Sequence, residues 1–534
     1  MKRRELIKGL SLLPIAGAVS GTSIESALGA SLASAQQKTG KSVYADLGVR
    51  PLINARGTVT VVGASQILPE VQKAMDDAVK EYVQIDELMD GVGARLGVLT
   101  GTEFGYVSSG ASAAITAGTA GCVTGGDPDK LWMIPDLRGM KDEVIIPAYS
   151  RTAYDAAAKA VGVRMVEVST LADLKLAIGP RTAMVLVLAG ARSENGPLSL
   201  KEISSVAKPL GVPVLVDAAA EVLEVPNPHI SQGADLVAYS GGKYLRGPQC
   251  AGLLLGRKDL ILAARINAGP HHGFGRGFKV GREEIMGMLA AVEAWFKRDH
   301  AGEWKTWVSY ANHIIQRLEK VPGVATQLVE PKARSNRAPS VNVNWDKSII
   351  PLTGEDMEKL LWDGTPRIAV SGAGSFLPFP PNLQPNISIH APALQAGEEK
   401  IIADRVYAIL TKPPVIKRPA GEAAFDLSGQ WDLKMKFSAS TVDQTLVIEQ
   451  KGNEFIGTHM ASIGPRDLDG TLHGKEVLMR SSYTREGVRI NFTFTGIAEA
   501  NAMQGKVSLS EYGDAEWTAK RHDYRPAGAL RSRK

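Results

Sequence analysis

Two residues define the chemistry open to this chain. Asp217 falls within the apolar run VPVLVDAAA (212–220), and Lys243 follows two glycines in DLVAYSGGKYLRGPQ (235–249). Each stands where a strand-like run gives out, and open α/β sheets place their ligands at that edge. A lysine there can form a Schiff base with pyridoxal phosphate, while an aspartate there salt-bridges the pyridinium nitrogen. The carboxylate keeps that nitrogen protonated, and the protonated ring stabilises a carbanion at the substrate α-carbon. In a partly desolvated cleft the lysine pKa should fall, which makes the amine a usable proton shuttle. A loop lysine or a helix-capping aspartate is common by itself. The ordered pair, each member at a strand end, carries the reading.

A phosphate cradle accompanies the pair. YVSSGASAAITAG (106–118) passes from a strand-like end through Ser108, Ser109 and Gly110 into a helical stretch. Free N–H groups at a helix start, with hydroxyls beside them, bind phosphate without a cation. Ser109, Gly110, Ala111 and Ser112 are the candidate phosphate residues, and Ser240 adds a hydroxyl from the lysine loop.

The elements that must position these groups follow from texture. EVIIPA (143–148), TAMVLVLAG (182–190) and ADLVAYSG (234–241) are continuous apolar runs, as buried parallel strands are. Helical patterns such as AYDAAAKAVG (153–162) and LKEISSVAKPLG (200–211) separate them, which predicts an open parallel sheet covered by helices. The large α/β domain is expected over 36–300 and a smaller α/β domain over 301–412. A proline-rich linker, 413–422, leads to a different texture. Short alternating runs such as VRINFTFTG (488–496) place Val488, Ile490, Phe492 and Phe494 on one face, predicting an antiparallel β barrel or sandwich over 423–521 with a tail at 522–534.

The N-terminal residues read as an address. Arg3 and Arg4 precede the short apolar stretch LSLLPIAGAV (10–19), and Ala33-Ser34-Ala35 has the form of a signal-peptidase site. This predicts a twin-arginine signal over 1–35, export to the periplasm in folded form, and no membrane span in the mature chain. At 44% hydrophobic and 22% charged residues, the 534-residue chain is globular in composition. Its net charge of +5 gives no footprint for a nucleic acid. Cys122 and Cys250 exclude a disulfide framework and a cysteine-built zinc site, and both are expected in the core, unbridged. His271 and His272 are adjacent and would point opposite ways on a strand, so no metal site is expected.

The chain resembles the selenocysteine-synthase-like branch of fold-type I pyridoxal phosphate enzymes, which includes seryl-tRNA selenium transferases and ammonia-lyases of the D-glucosaminate-6-phosphate type. The matching stretches are LINARGTVTVVGAS (52–65), LTGTEFGYVSSGASAAITAGTAGCVTG (99–125), RTAYDAAAKAVGVRMVEV (151–168), VPVLVDAAAE (212–221), DLVAYSGGKYLRGPQCAGLLLGRKDLI (235–261) and GRGFKVGREEIMGMLAAVEAW (275–295). The resemblance implies an aminotransferase-like fold, Lys243 as the internal aldimine lysine, Asp217 as the pyridinium partner, and dimers or larger assemblies. Lyase-type relatives commonly carry a histidine before the arginine of the 151–168 block; here Ser150 stands there, with Tyr149 as the substitute that would stack on the cofactor ring. Arg151, Arg276 and Arg367 are candidate substrate residues. Arg276 sits in a cluster with His271, His272, Lys279 and Arg282 suited to an anion.

The expected activity is a β-eliminating lyase on a small amino acid or amino sugar acid, with an aminotransferase or a racemase as alternatives. A selenium transferase is disfavoured, because an exported protein meets no charged tRNA. A different class of reading is an inactive scaffold whose β domain binds a ligand, with Trp431 and Trp517 lining a cavity or packing a core.

Overall fold

A computed structural model describes residues 42–372, 383–485 and 487–523. The segment expected to be an export signal (1–35) and most of the expected tail (522–534) therefore lie outside the described residues. Ala45–Leu47 form a single 3-10 turn that ends at Gly48. From Leu52 onward the chain builds three hydrophobic cores.

The first strand, β1 (Leu52–Asn54), stands outside the main sheet. That sheet contains β2 (Phe104–Ser108), β3 (Glu143–Pro147), β4 (Arg164–Val168), β5 (Thr182–Leu188), β6 (Val214–Asp217), β7 (Leu236–Ser240) and β8 (Gly252–Gly256). Their order is β2-β8-β7-β6-β5-β3-β4. The pairs from β4 through β7 are parallel, whereas β8 is antiparallel to both its neighbours. Every residue of β3, β6 and β8 is buried, since helices cover both faces. This accounts for strands that read as unbroken apolar runs rather than alternations. The helix Ala111–Thr124 is buried nearly all round and runs beneath the sheet's centre. Small residues let it fit there: a β-carbon at Gly118 would lie 2.7 Å from Leu215, and one at Gly121 2.7 Å from the backbone of Ala264.

The second core lies around β9 (Val324–Val329), β10 (Ser340–Trp345), β11 (Arg367–Ala369) and β12 (Asn386–His390). The helices His300–Leu318, Gly354–Asp363 and Glu398–Thr411 cover it. β1 pairs in parallel with β11, and Ile53 and Ala55 pack in this core. The sequence boundary at residue 300 had assigned that segment to the large domain. It carries no strand partner in the large sheet, so its apolar side chains are buried where β11 offers an open edge.

The proline-rich seam has no regular structure beyond the helix end, yet it is tied down: Ile416 packs on the second core and Arg418 pairs with Asp356 at 2.5 Å. The third core fills a closed barrel of eight antiparallel strands. These are β13 (Gly429–Lys436), β14 (Thr441–Lys451), β15 (Glu454–Ala461), β16 (Gly464–His473), β17 (Glu476–Arg485), β18 (Val488–Ala498), β19 (Ala502–Ser508) and β20 (Asp514–Arg521). Each strand pairs with the next, and β20 closes on β13. Closure removes the free edges that open sheets must otherwise protect. Trp431 and Trp517 are fully buried, so both are core residues rather than a cavity lining.

Candidate active site

Lys243 sits in a turn that the backbone holds by itself. The Gly247 N–H donates to the Gly241 carbonyl at 2.8 Å and the Arg246 N–H to that of Lys243 at 3.1 Å. Close packing leaves little room at the two preceding glycines, against backbone at Gly241 and against the Gln249 side chain at Gly242. A β-carbon at Gly241 would lie 2.6 Å from Met288 Sδ, and one at Gly242 2.5 Å from Gln249 Oε1. The Gly242 carbonyl is anchored from outside by the Ser65 hydroxyl at 2.8 Å and the Gln249 amide at 3.2 Å. Burial lowers the Lys243 pKa, with Asp217 opposing the shift by its charge. The amine is thus biased toward its neutral, nucleophilic form.

Asp217 closes β6 beside β7 and is buried. Its carboxyl is raised above the usual carboxylate range by burial, against a hydrogen bond from the Ala219 N–H at 3.0 Å and the charge of Lys243. A cationic group placed against it would reverse that shift. Nearby lies a pair that sequence reading missed: Glu221 Oε2 and His229 Nε2 meet at 2.6 Å, each 1% exposed. Ser335 donates to the other Glu221 oxygen at 3.2 Å. The two residues come from opposite sides of a short irregular segment, so no spacing rule flags them.

At the cradle, Gly110 adopts φ +99° immediately before the helix Ala111–Thr124, and nothing lies within 4 Å of the β-carbon it lacks. The helix start thus faces open space. From below, Gly252 of β8 presses so closely that a β-carbon there would lie 2.5 Å from the Ala111 nitrogen. Ser108 turns back to donate to the Gly110 carbonyl at 2.8 Å, leaving Ser109 and Ser112 less buried. Ser240 stands opposite Gly252 at the end of β7.

The other candidates are placed differently from one another. Lys243 reaches one wall of a cleft of about 350 Å³ that Thr58, Ser65, Arg298, Trp307 and Gln395 also line. Arg298 had not been singled out; it donates to the Tyr244 carbonyl at 2.9 Å and pairs with Glu303 at 2.8 Å. Ser150 is 3% exposed and its hydroxyl accepts from the Leu188 N–H at 3.0 Å, which ties the loop after β3 to the end of β5. The Tyr149 hydroxyl donates to the Leu198 carbonyl at 2.9 Å. Arg151 is buried between Asp155 at 2.6 Å and Glu167 at 2.9 Å, so its charge is met by protein carboxylates. Arg367 donates to the Trp362 carbonyl at 3.0 Å and stacks on its ring, outside the residues that line the Lys243 cleft. The expected basic cluster disperses. Arg276 is exposed, His271 faces Asp86 at 3.4 Å, and Arg282 donates to the Ala78 and Val79 carbonyls. Cys122 and Cys250 are both free, but Cys250 is exposed, against the expectation of a core position, because it lies in the turn between the lysine loop and β8. Among the described residues no group of three or more His, Cys, Asp or Glu side chains is arranged to hold a metal ion, and no helix is long and apolar enough to cross a membrane.

The barrel contributes a contact that no motif announced. Gly487, at the β17–β18 turn with φ +75°, lies against the backbone of Thr152; a β-carbon there would stand 2.6 Å from the Thr152 carbonyl oxygen. Two residues on, Tyr154 is half-exposed, and its hydroxyl pKa is raised by burial and by the charges of Asp217 and of Glu511 in the barrel. One hairpin tip thus rests on the loop that leads to the Asp217 side of the site.

A buried amine biased toward neutrality, a buried carboxyl awaiting a cation, and an open helix start between glycines together fit pyridoxal phosphate. The fit rests on Lys243, Asp217, and the N–H groups around Gly110 to Ser112.

Known proteins give the same direction. The family model described as aminotransferase class-V matches residues 145–374. D-glucosaminate-6-phosphate ammonia lyase of Salmonella typhimurium is 31% identical over 333 residues, spanning 60% of this chain and 87% of that enzyme. A 5'-C-glycyluridine monooxygenase-decarboxylase of a Streptomyces species is 30% identical over 55% of this chain and 76% of its own length. The L-seryl-tRNA(Sec) selenium transferase of Moorella thermoacetica is 25% identical over 55% of this chain and 67% of its own. A solved structure of a D-glucosaminate-6-phosphate ammonia-lyase superposes with a TM-score of 0.61 at 28% identity, covering 69% of this chain and 98% of that one.

Proposed function

This chain belongs to the selenocysteine-synthase-like branch of fold-type I pyridoxal phosphate enzymes, and on that premise we propose that it eliminates a β-substituent, such as a hydroxyl or a thiol, from a small amino acid or amino sugar acid, the α-nitrogen leaving as ammonia when the imine product hydrolyses to an oxo-acid. It is a pyridoxal-phosphate-dependent, lyase-like enzyme related to D-glucosaminate-6-phosphate ammonia lyase. The observation that carries the finer reading is the neutral-leaning Lys243 amine within electrostatic reach of buried Asp217, in a chain that spans most of an ammonia lyase.

When bound, the cofactor supplies an electron sink for negative charge at the substrate α-carbon. The remaining work falls to side chains. Asp217 holds a proton on the ring nitrogen by its charge and its buried position. The N–H groups at Ala111 and Ser112, with the Ser109 hydroxyl, fix the phosphate. Lys243 Nζ removes the α-proton and can return it to the departing group; its lowered pKa brings it nearer the working pH, where general bases act best. Ser65 and Gln249 position Lys243 by anchoring the preceding carbonyl.

The test uses purified mature chain and its Lys243→Ala variant. A visible absorbance band that borohydride removes, and that the variant lacks, is expected. Release of ammonia or sulfide together with an oxo-acid from a panel of amino acids and amino sugar acids is expected to follow. A panel with no such product, or a racemised or transaminated one, overturns the elimination. The same reading includes export by the twin-arginine route and assembly into a homo-oligomer. Cell fractionation and light scattering test these separately; a cytoplasmic or a monomeric protein refutes the corresponding part.

A further inference from the structure

The barrel interior is not uniformly apolar. Around its middle Phe494 packs edge-on against Trp517, with ring centroids 5.6 Å apart. Toward the end that carries the β13–β14, β15–β16, β17–β18 and β19–β20 turns, three polar side chains point inward: His459, Arg466 and Ser481. His459 is satisfied on both sides, since Ser481 Oγ lies 2.8 Å from Nδ1 and Gln444 Oε1 lies 2.7 Å from Nε2. Gln444 Oε1 can only accept, so Nε2 carries the hydrogen and Nδ1 accepts from the serine. Burial and the Arg466 charge hold this imidazole neutral, its pKa lowered to about 3.

Arg466, beside His459 on the neighbouring strand, has no such provision. It is 7% exposed, and its Nε and Nη1 are buried without a hydrogen-bond partner. It makes no ion pair with a carboxylate among the described residues. Its guanidinium lies 4.4 Å over the Phe492 ring and 6.0 Å from that of Tyr483. Ring faces offset part of the cost of burying a cation but leave the N–H groups unfilled. An arginine of this length could extend to water, as buried-stem arginines commonly do. Beside it, the same Phe492 lines a cavity of about 390 Å³ at the barrel mouth, with Phe437, Ile490, Leu509 and Tyr512 as apolar walls and Asp514 on the rim.

We propose that this end of the barrel is a binding site for a small organic monocarboxylate with an apolar body, its carboxylate held by Arg466 inside and its body in the Phe437–Ile490–Phe492 mouth. One guanidinium matches one carboxylate in charge and in paired N–H geometry. A phosphate is disfavoured: among the described residues the lining of the mouth holds no cation, and the Asp514 carboxylate stands at the entrance, which leaves Arg466 behind Phe492 as the charge to be met. The site is separate from the lysine cleft and does not depend on the elimination chemistry.

The experiment is calorimetric titration of sodium octanoate into the full mature chain, with octylammonium and octan-1-ol as controls. Octanoate is expected to bind and octylammonium not to bind. Arg466→Met, which keeps the bulk and removes the charge, is expected to weaken octanoate at least tenfold, and Arg466→Lys to weaken it less. Without ligand, Arg466→Met should melt at or above the parent temperature, since the charge it removes has no carboxylate partner among the described residues. Any of three binding results overturns the proposal: no octanoate binding at millimolar concentration, equal binding of octanoate and octylammonium, or unchanged octanoate affinity in Arg466→Met. A clearly lower melting temperature for a folded Arg466→Met also overturns it, because the guanidinium would then be structural.

Discussion

Placing a methyl group on Gly487 tests whether the barrel is seated on the catalytic body. Gly487→Ala has two costs. Its φ of +75° is in the left-handed region, where a β-carbon adds about 1–2 kcal/mol of strain. Gly452, in the β14–β15 turn, has φ +63° and nothing within 4 Å of its missing β-carbon, so Gly452→Ala carries the first cost alone. At Gly487 the added carbon would lie 2.6 Å from the Thr152 oxygen and 2.7 Å from the Thr152 carbonyl carbon. Restoring ordinary separation requires a shift of about 1 Å between hairpin and loop. Overpacking of that kind costs a further 1–3 kcal/mol or so. Gly487→Ala should therefore lose about twice as much stability as Gly452→Ala in calorimetric melts. Hydrogen exchange should speed up over residues 148–156 in the Gly487 variant and stay unchanged in the control. Equal losses in the two variants, with identical exchange over 148–156, would refute the seating of the hairpin.

Further outcomes follow from the site. Asp217→Asn should cut turnover by roughly a hundredfold or more, as loss of a preorganised charge does, while the cofactor-free variant gains stability at pH 7. The sign follows from the raised carboxyl: the native state keeps a proton that the unfolded chain releases near its ordinary value, so stability falls as pH rises through that window, and asparagine removes the fall. Gly252→Ala should push the start of the Ala111–Thr124 helix and weaken retention of pyridoxal phosphate by about tenfold, or 1.4 kcal/mol, measured by equilibrium dialysis. Glu358, lifted to about 7 by burial against the pull of Arg56, should make the chain less stable at pH 8 than at pH 5 by at most about 3 kcal/mol. Glu358→Gln should flatten the difference in urea midpoints between those two pH values.

How much of this was legible beforehand varied with the kind of signal. Lys243 and Asp217 stood out because the proposed chemistry asks for those two residue types at two strand ends. The strands themselves were readable because burial on both faces leaves no polar position in VLVLAG or VPVLV. The barrel's alternation gave its class, and the inward Phe492 and Phe494 followed from period two. Arg466 obeys the same rule, standing in step with Leu468 and Leu472 on β16, but an arginine in an alternating run carries no signal of its own that it is buried. Arg151 misled: it looked available for substrate, whereas Asp155 one helical turn on and Glu167 on the adjoining strand meet its charge. The Glu221–His229 pair and the Gly487 seat left no local trace. Both depend on which segments the completed fold brings together, and a turn glycine in a β hairpin looks the same whether or not something lies against it.

The seat of Gly487 on Thr152 also sets an order of events during synthesis. The seven-stranded sheet is fully translated once Gly256 has been made, yet Gly487 follows far later in the chain. At ordinary elongation rates the interval is on the order of tens of seconds, and domains fold as they emerge, N-terminal part first. Throughout that interval the 151–155 loop, which feels the Asp217 charge through Tyr154, stands without the barrel contact that Gly487 later supplies, so the seat is among the last contacts of the chain to form.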